Sequence, residues 1–99
     1  MKIWYIYVIL TVDGFYYTGI STDPERRYRE HLAGMSRSAR YLKAHRPEKL
    51  VFIYEIGDHT LALKVEYQFK KLLRRVKEKI ITERCLIFDP SDGKIKRPQ

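Results

Sequence analysis

From Ile3 to Leu10 every residue is β-branched, aromatic or aliphatic. That run has no polar alternation and suits a strand buried on both faces. Asp13-Gly14 is a strong hairpin signal, and Phe15 to Ile20 supplies the return strand. The pattern then changes period. In "STDPERRYREHLAG", Thr22 and Glu25 fit a capping box, Asp23 is a competing cap, and Pro24 belongs only in a first helical turn. Gly34 is a suitable stop. A short helix is expected around Ser38 to Ala44, ahead of Pro47, and "KLVFIYEI" reads as a third strand bounded by Gly57-Asp58. From Thr60 the apolar positions Ala62, Val65, Phe69, Leu72, Leu73 and Val76 recur at three and four, which predicts one long helix to about Arg75. A further turn or two is allowed between Lys77 and Arg84. The order β-β-α-β-α predicts an α+β domain, a small, mainly antiparallel three-stranded sheet flanked by helices. That domain is expected over residues 1–84, with 85–99 a polar, flexible tail ("DPSDGKIKRPQ").

Size and charge narrow the reading. Ninety-nine residues, 44% hydrophobic and 13% aromatic, are enough for one small core and leave no room for a second. Twenty Lys and Arg against twelve Asp and Glu give +8, a surplus that attracts polyanions, nucleic acid before anionic membrane. It is concentrated: residues 25–49 and 64–84 each hold eight basic and three acidic residues, so each is +5 while the remainder is −2. These are either two solvated helical faces or one footprint for a polyanion. One cysteine, Cys85, excludes an internal disulfide and argues against a thiolate zinc site, which fits a reducing, cytoplasmic setting. The apolar run after Lys2 lacks a cleavage signal, ends in Asp13-Gly14, and at roughly ten residues is too short to span a bilayer, so no membrane role is expected.

Several side chains stand out by chemistry. Glu66 lies beside the apolar stripe of the long helix, and a carboxylate there costs free energy unless a metal, a cation or hydrogen bonds compensate. Pairing with Lys70 at i+4 is the plainer reading. Arg27 and His31, four apart, share a helical face. Arg27 offers a bidentate fork to phosphate and His31 a proton donor or acceptor near neutrality, unless both are simply solvated. Tyr7 and Tyr17 attract interest because a phenol beside a cation loses its proton more readily. A two-residue turn at Asp13-Gly14 would pair Leu10 with Tyr17 and point the two phenols to opposite faces. They share a face only across an odd-length loop or a bulge.

The residues "YIY", "YTG", "ERRYREH" and the downstream Glu66 together resemble the GIY-YIG nuclease superfamily, in its small, stand-alone, single-domain bacterial branch. Tyr5-Ile6-Tyr7 matches the first half-motif, with Tyr5 in place of glycine, and Tyr17-Thr18-Gly19 the second. The likeness runs from about residue 3 to 75 and extends through "SARYLKAHRPEKLVF" and "ALKVEYQFKKL".

The resemblance implies a divalent-metal-dependent DNA endonuclease. Glu66 matches the ligand of one divalent cation, Mg²⁺ or Mn²⁺, and Arg27 the arginine that stabilises the scissile phosphate. Tyr7 and Tyr17 match the tyrosines beside the hydrolytic water, and His31 a histidine found in some branches. "RSARYLKAHR" becomes the expected DNA arm, with Arg37, Arg40, Lys43 and Arg46 at three-residue spacing and Tyr41 able to stack on a base or pack; Lys70 joins this set. Nothing resembles a base-reading helix, so structure preference, for branched, nicked or damaged DNA in repair or recombination, is expected over sequence specificity. The chain has no asparagine, unlike the repair-subunit branch, and too few cysteines for an added zinc domain, so selectivity rests on these residues or on a protein partner. The competing reading is a nucleic-acid-binding module of the same fold with little activity of its own.

Overall fold

A computed structural model describes residues 2–34 and 39–97. Its centre is a three-stranded antiparallel sheet in the order β2-β1-β3, made of β1 (Trp4–Thr11), β2 (Tyr16–Ser21) and β3 (Pro47–Gly57). The expected α+β architecture is the observed one. The all-apolar run became β1 because β1 is the middle strand: Ile6, Tyr7, Val8 and Ile9 are each at most 1% exposed, so both of its faces are covered.

The hairpin loop decides which side chains share a face. Thr11 N–H donates to Phe15 O (2.9 Å) and Gly14 N–H to Thr11 O (3.0 Å), so the loop is Val12-Asp13-Gly14, three residues rather than two. Gly14 sits at φ +88, a left-handed conformation that glycine adopts without a Cβ penalty. The register is therefore Ile9↔Tyr17 and Tyr7↔Gly19. Side chains alternate along a strand, so Tyr7, Ile9, Tyr17 and Gly19 lie on one face, and Ile6, Val8, Tyr16 and Thr18 on the other. The odd-length loop that a shared tyrosine face requires is present.

Helix α1 (Pro24–Leu32) covers the first face. Its cap is Asp23, whose side chain accepts from Arg26 N–H at 3.2 Å, so the competing cap wins over the Thr22 capping box. Ala33 closes the helix and Gly34 follows at φ +70. Helix α2 (Ala39–Ala44) is anchored by Leu42, which is buried; Ser38, the expected start of this helix, lies outside the described residues.

The second face carries α3 (His59–Lys70), capped by the Asp58 carboxylate, which accepts from Leu61 N–H at 2.8 Å. The apolar spacing predicted one helix to about Arg75. The chain instead breaks at Lys71–Leu73, with Leu73 extended (φ −62, ψ 148), and restarts as α4 (Arg74–Glu83). Two causes act together. A continuous helix would stack Lys70 on Arg74 and Lys71 on Arg75 at i+4, an unfavourable pairing of like charges. The break also turns Ile80 back onto the cluster of Ile6, Val8, Phe52, Val65 and Phe69. The expected tail, residues 85–99, opens with the exposed Cys85, but Leu86 is buried in this same core and the chain continues as a two-stranded hairpin, β4 (Ile87–Phe88) and β5 (Ile95–Lys96), with Gly93 buried against Lys64 of α3. Among the described residues no helix is long and apolar enough to cross a membrane.

Candidate active site

Tyr7 is the hub of a polar cluster inside the first face. Its ring lies across Gly19 on the neighbouring strand. A Cβ built on Gly19 would fall 2.6 Å from Tyr7 Cζ and nearer still to the phenol oxygen, so glycine is what lets the ring reach across β2. The phenol ends 2.9 Å from His31 Nε2, in a buried bond between β1 and α1. Arg27, one helical turn before His31, lies close enough to the same phenol for its charge to pull the phenol pKa down. Tyr17 meets His31 edge to face, with ring centroids 5.4 Å apart.

Burial pushes the Tyr7 phenol up, the Tyr17 phenol adds to the shift, and Arg27 offsets only part of it. The sequence-based expectation that a neighbouring cation eases proton loss therefore fails at Tyr7: desolvation outweighs the guanidinium. Burial, followed by the Arg27 charge, holds His31 down to about 4, against a weaker opposing pull from Glu30. At neutral pH the pair is an intact phenol hydrogen-bonded to a neutral imidazole. For Arg27, partial burial works against the charge, but the bonds to Glu30 (3.2 Å) and Tyr7 outweigh it and raise its pKa. Glu30 thus pairs with Arg27 one turn back on the same helix.

Glu66 approaches from α3 on the other side of the sheet, and its charge is felt at Tyr7. It is half-buried and paired with Lys70 at 3.5 Å. Tyr7, Tyr17, Arg27 and His31 are therefore neighbours, and Glu66 acts on Tyr7 through its charge from the opposite face. Among the described residues no three His, Cys, Asp or Glu side chains form a metal-binding group. One carboxylate fits a hard cation that keeps most of its water and takes further oxygens from a substrate phosphate. Such an ion would displace the Lys70 ammonium.

The expected DNA arm is less regular than its spacing implied. Arg37 lies outside the described residues. Arg40 and Lys43 are exposed on α2, but Arg46 lies beyond its end, because the residue before Pro47 is driven out of helical conformation. The three-residue spacing therefore does not form one stripe. Tyr41 packs on Tyr17 (5.7 Å) and on His45 (4.6 Å) while keeping 38% of its surface exposed. His31, Lys43 and Arg46 line a cleft of about 220 Å³ between α1 and α2.

Two connections escaped the sequence reading. His45 Nδ1 lies 2.6 Å from Asp13 Oδ2, and Val12 N–H donates to Arg46 O (2.8 Å), tying α2 to the hairpin loop. Arg74 of α4 donates to Gly14 O and lies over the Tyr16 ring at 4.4 Å, tying the opposite layer to the same loop. Each joins residues about thirty to sixty apart, which no local spacing rule encodes.

Comparison with known proteins gives this cluster a context. A family model described as the GIY-YIG catalytic domain matches residues 3–79. UPF0213 protein YhbQ from Salmonella typhimurium is 45% identical over 84 residues, covering 85% of this chain and 82% of that one. A UPF0213 protein from Klebsiella pneumoniae is 44% identical over 78 residues, covering 79% and 72%. The solution NMR structure of UPF0213 protein BH0048 from Bacillus halodurans superposes with a TM-score of 0.52 at 32% identity, covering 83% of this chain and 85% of that one. The matched model spans most of the chain and these relatives are covered over most of their length, so the chain belongs to the GIY-YIG family, a nuclease superfamily, in its small UPF0213 branch.

Proposed function

We propose that the protein is a divalent-cation-dependent endonuclease that hydrolyses phosphodiester bonds in DNA, on branched, nicked or damaged substrates of repair or recombination. The observation that carries this reading is the buried Tyr7–His31 bond, with Tyr17 edge-on to the same imidazole and the charges of Arg27 and Glu66 felt at the phenol. Phosphodiester hydrolysis needs positive charge at the phosphate, removal of a proton from water, and a fixed geometry for both.

Arg27 supplies the charge. Its guanidinium is already desolvated in part and aimed by Glu30 and Tyr7, so little reorganisation remains when a phosphate arrives. Tyr7 and His31 move the proton. A water attacking the phosphate gives its proton to the Tyr7 oxygen as the phenol proton passes to His31 Nε2, so no free phenolate has to form; the P–O bond to one sugar oxygen breaks, and that oxygen leaves with a proton taken from solvent. His31 is neutral at rest, and the incoming phosphate charge beside it favours its protonated form. Tyr17, edge-on to His31, holds the imidazole plane. Glu66 would hold the cation, which when bound supplies further positive charge to the phosphate and acidifies nearby water.

The test is cleavage of labelled duplex, nicked and branched DNA with Mg²⁺ or Mn²⁺. The parent should cleave only with metal, and Arg27→Ala and Glu66→Ala should each lose about 10²–10³-fold or more in rate. Their melting curves should stay near that of the parent, and metal-free DNA affinity of Glu66→Ala should be unchanged. Unfolding of Glu66→Ala would sink the assignment. The Glu66–Lys70 pair favours a second reading, a binding module whose carboxylate is already neutralised. Salt-sensitive binding without cleavage under any metal would select it.

A further inference from the structure

The α3–α4 corner holds five basic residues and no acidic one between Tyr67 and Lys77. Two of them have acidic partners, Lys70 with Glu66 and Arg74 with Glu78 (2.8 Å). Lys71 and Arg75 are exposed and have no ion pair among the described residues; Lys71 lies over the Tyr67 ring at 4.3 Å. Tyr67 is 60% exposed and Leu73 56%, so this is open surface. The concentration of charge is felt locally: burial first, then the Arg74 and Lys70 charges, hold the Lys77 ammonium below its ordinary pKa.

The position of this corner relative to α2 carries the argument. Tyr16 and Tyr17 are consecutive on β2, so they point to opposite faces of the sheet. Arg74 lies over Tyr16, while Tyr41 of α2 packs on Tyr17. The basic corner and the basic arm are therefore on opposite faces, either side of an edge strand. Both are fastened to the same three-residue loop, α2 through Asp13 and Val12, the corner through Gly14. Their relative placement is thus fixed by the hairpin.

We infer that the α3–α4 corner is a second contact for nucleic-acid phosphates, and that the protein grips two non-collinear stretches of backbone, one on each side of the β2 edge. This rests on the nuclease reading and sharpens its substrate class. A straight duplex passes along one side of the edge and meets one basic surface. A three-way junction or flap sends its arms to both. The occupant is DNA backbone because two uncompensated cations beside an exposed aromatic ring complement a phosphate chain.

The experiment compares a labelled three-way junction with a linear duplex of equal total length, by anisotropy across a salt series without metal. The variants are Lys71→Ala/Arg75→Ala at the corner and Arg40→Ala/Lys43→Ala on α2, with melting curves to show that each is folded. The corner variant should lose about ten-fold or more on the junction and less than about three-fold on the duplex, and its junction salt slope should fall by about 2. The α2 variant should lose affinity for both. Equal losses of the corner variant on both DNAs, or an unchanged junction slope, would overturn the inference. Cleavage by the parent, measured separately with metal, judges the nuclease reading independently.

Discussion

The two faces of one sheet are built to different ends. The face under α3 and α4 buries Ile6, Val8, Phe52, Val65, Phe69 and Ile80, a cluster without a titratable group. The face under α1 buries Tyr7, Thr11, Ser21 and His31, polar groups held by specific bonds. Apolar burial is non-directional and stabilises whichever residues fill the space. A buried phenol–imidazole pair stabilises only while both partners stay, and removal of either leaves the other desolvated and unpaired. The face under α3 and α4 therefore supplies stability, and the face under α1 holds the candidate site in an arrangement that stability alone would not select.

The largest expected effect tests the stable face. Phe69→Ala removes a fully buried ring and should cost about 3–5 kcal/mol in urea unfolding. A loss near 1 kcal/mol would show that α3 and α4 are a dispensable layer. The next effect belongs to the polar face and depends on pH. His31 is held near 4 when folded against 6.5 in the unfolded chain. Above 6.5 both states are neutral; between 6.5 and 4 only the unfolded chain takes up the proton, so stability falls as pH falls across that window. The change is roughly 3 kcal/mol, and His31→Gln should flatten that part of the stability–pH curve. An identical slope in parent and variant would mean that His31 titrates freely.

Gly19→Ala should cost about 1–3 kcal/mol by forcing its Cβ into the Tyr7 ring, and should lower cleavage by far more than its effect on melting implies. Equal effects on both would make Tyr7 a packing residue. The smallest effect sits on the rim. Asp23→Ala removes the α1 cap and should cost about 1 kcal/mol, with cleavage nearly unchanged, since His31 is also held by Tyr7 and Arg27 by Glu30.

The sequence was most informative where local rules act. The all-apolar run of β1, the Asp-Pro start of α1 and the Gly57-Asp58 boundary of β3 each have a cause within a few residues. The break at Lys71–Leu73 was hidden because no glycine or proline marks it; it arises from like charges four apart and from the place available for Ile80, and the second is a tertiary fact. Arg27, His31 and Glu66 were visible by type and spacing, but the meeting of His31 with Tyr7 required the register. The direction of the Tyr7 shift was misjudged because the sequence shows the cation nearby and not the depth of burial, which is the larger influence. His45, bound to Asp13, and Arg74, bound to Gly14, were invisible as partners because neither contact has a sequence signature.

The Val12-Asp13-Gly14 loop has a consequence for how such a chain can vary. Its length sets a parity. Adding or deleting one residue there leaves composition, core volume and hairpin potential almost untouched, yet it exchanges Tyr17 with its neighbours on the opposite face. A change of two residues restores the arrangement. Drift in this lineage is therefore expected to be tolerant of what the loop contains and strict about whether its count is odd, so the catalytic potential of the domain is inherited partly as an arithmetic property of a turn.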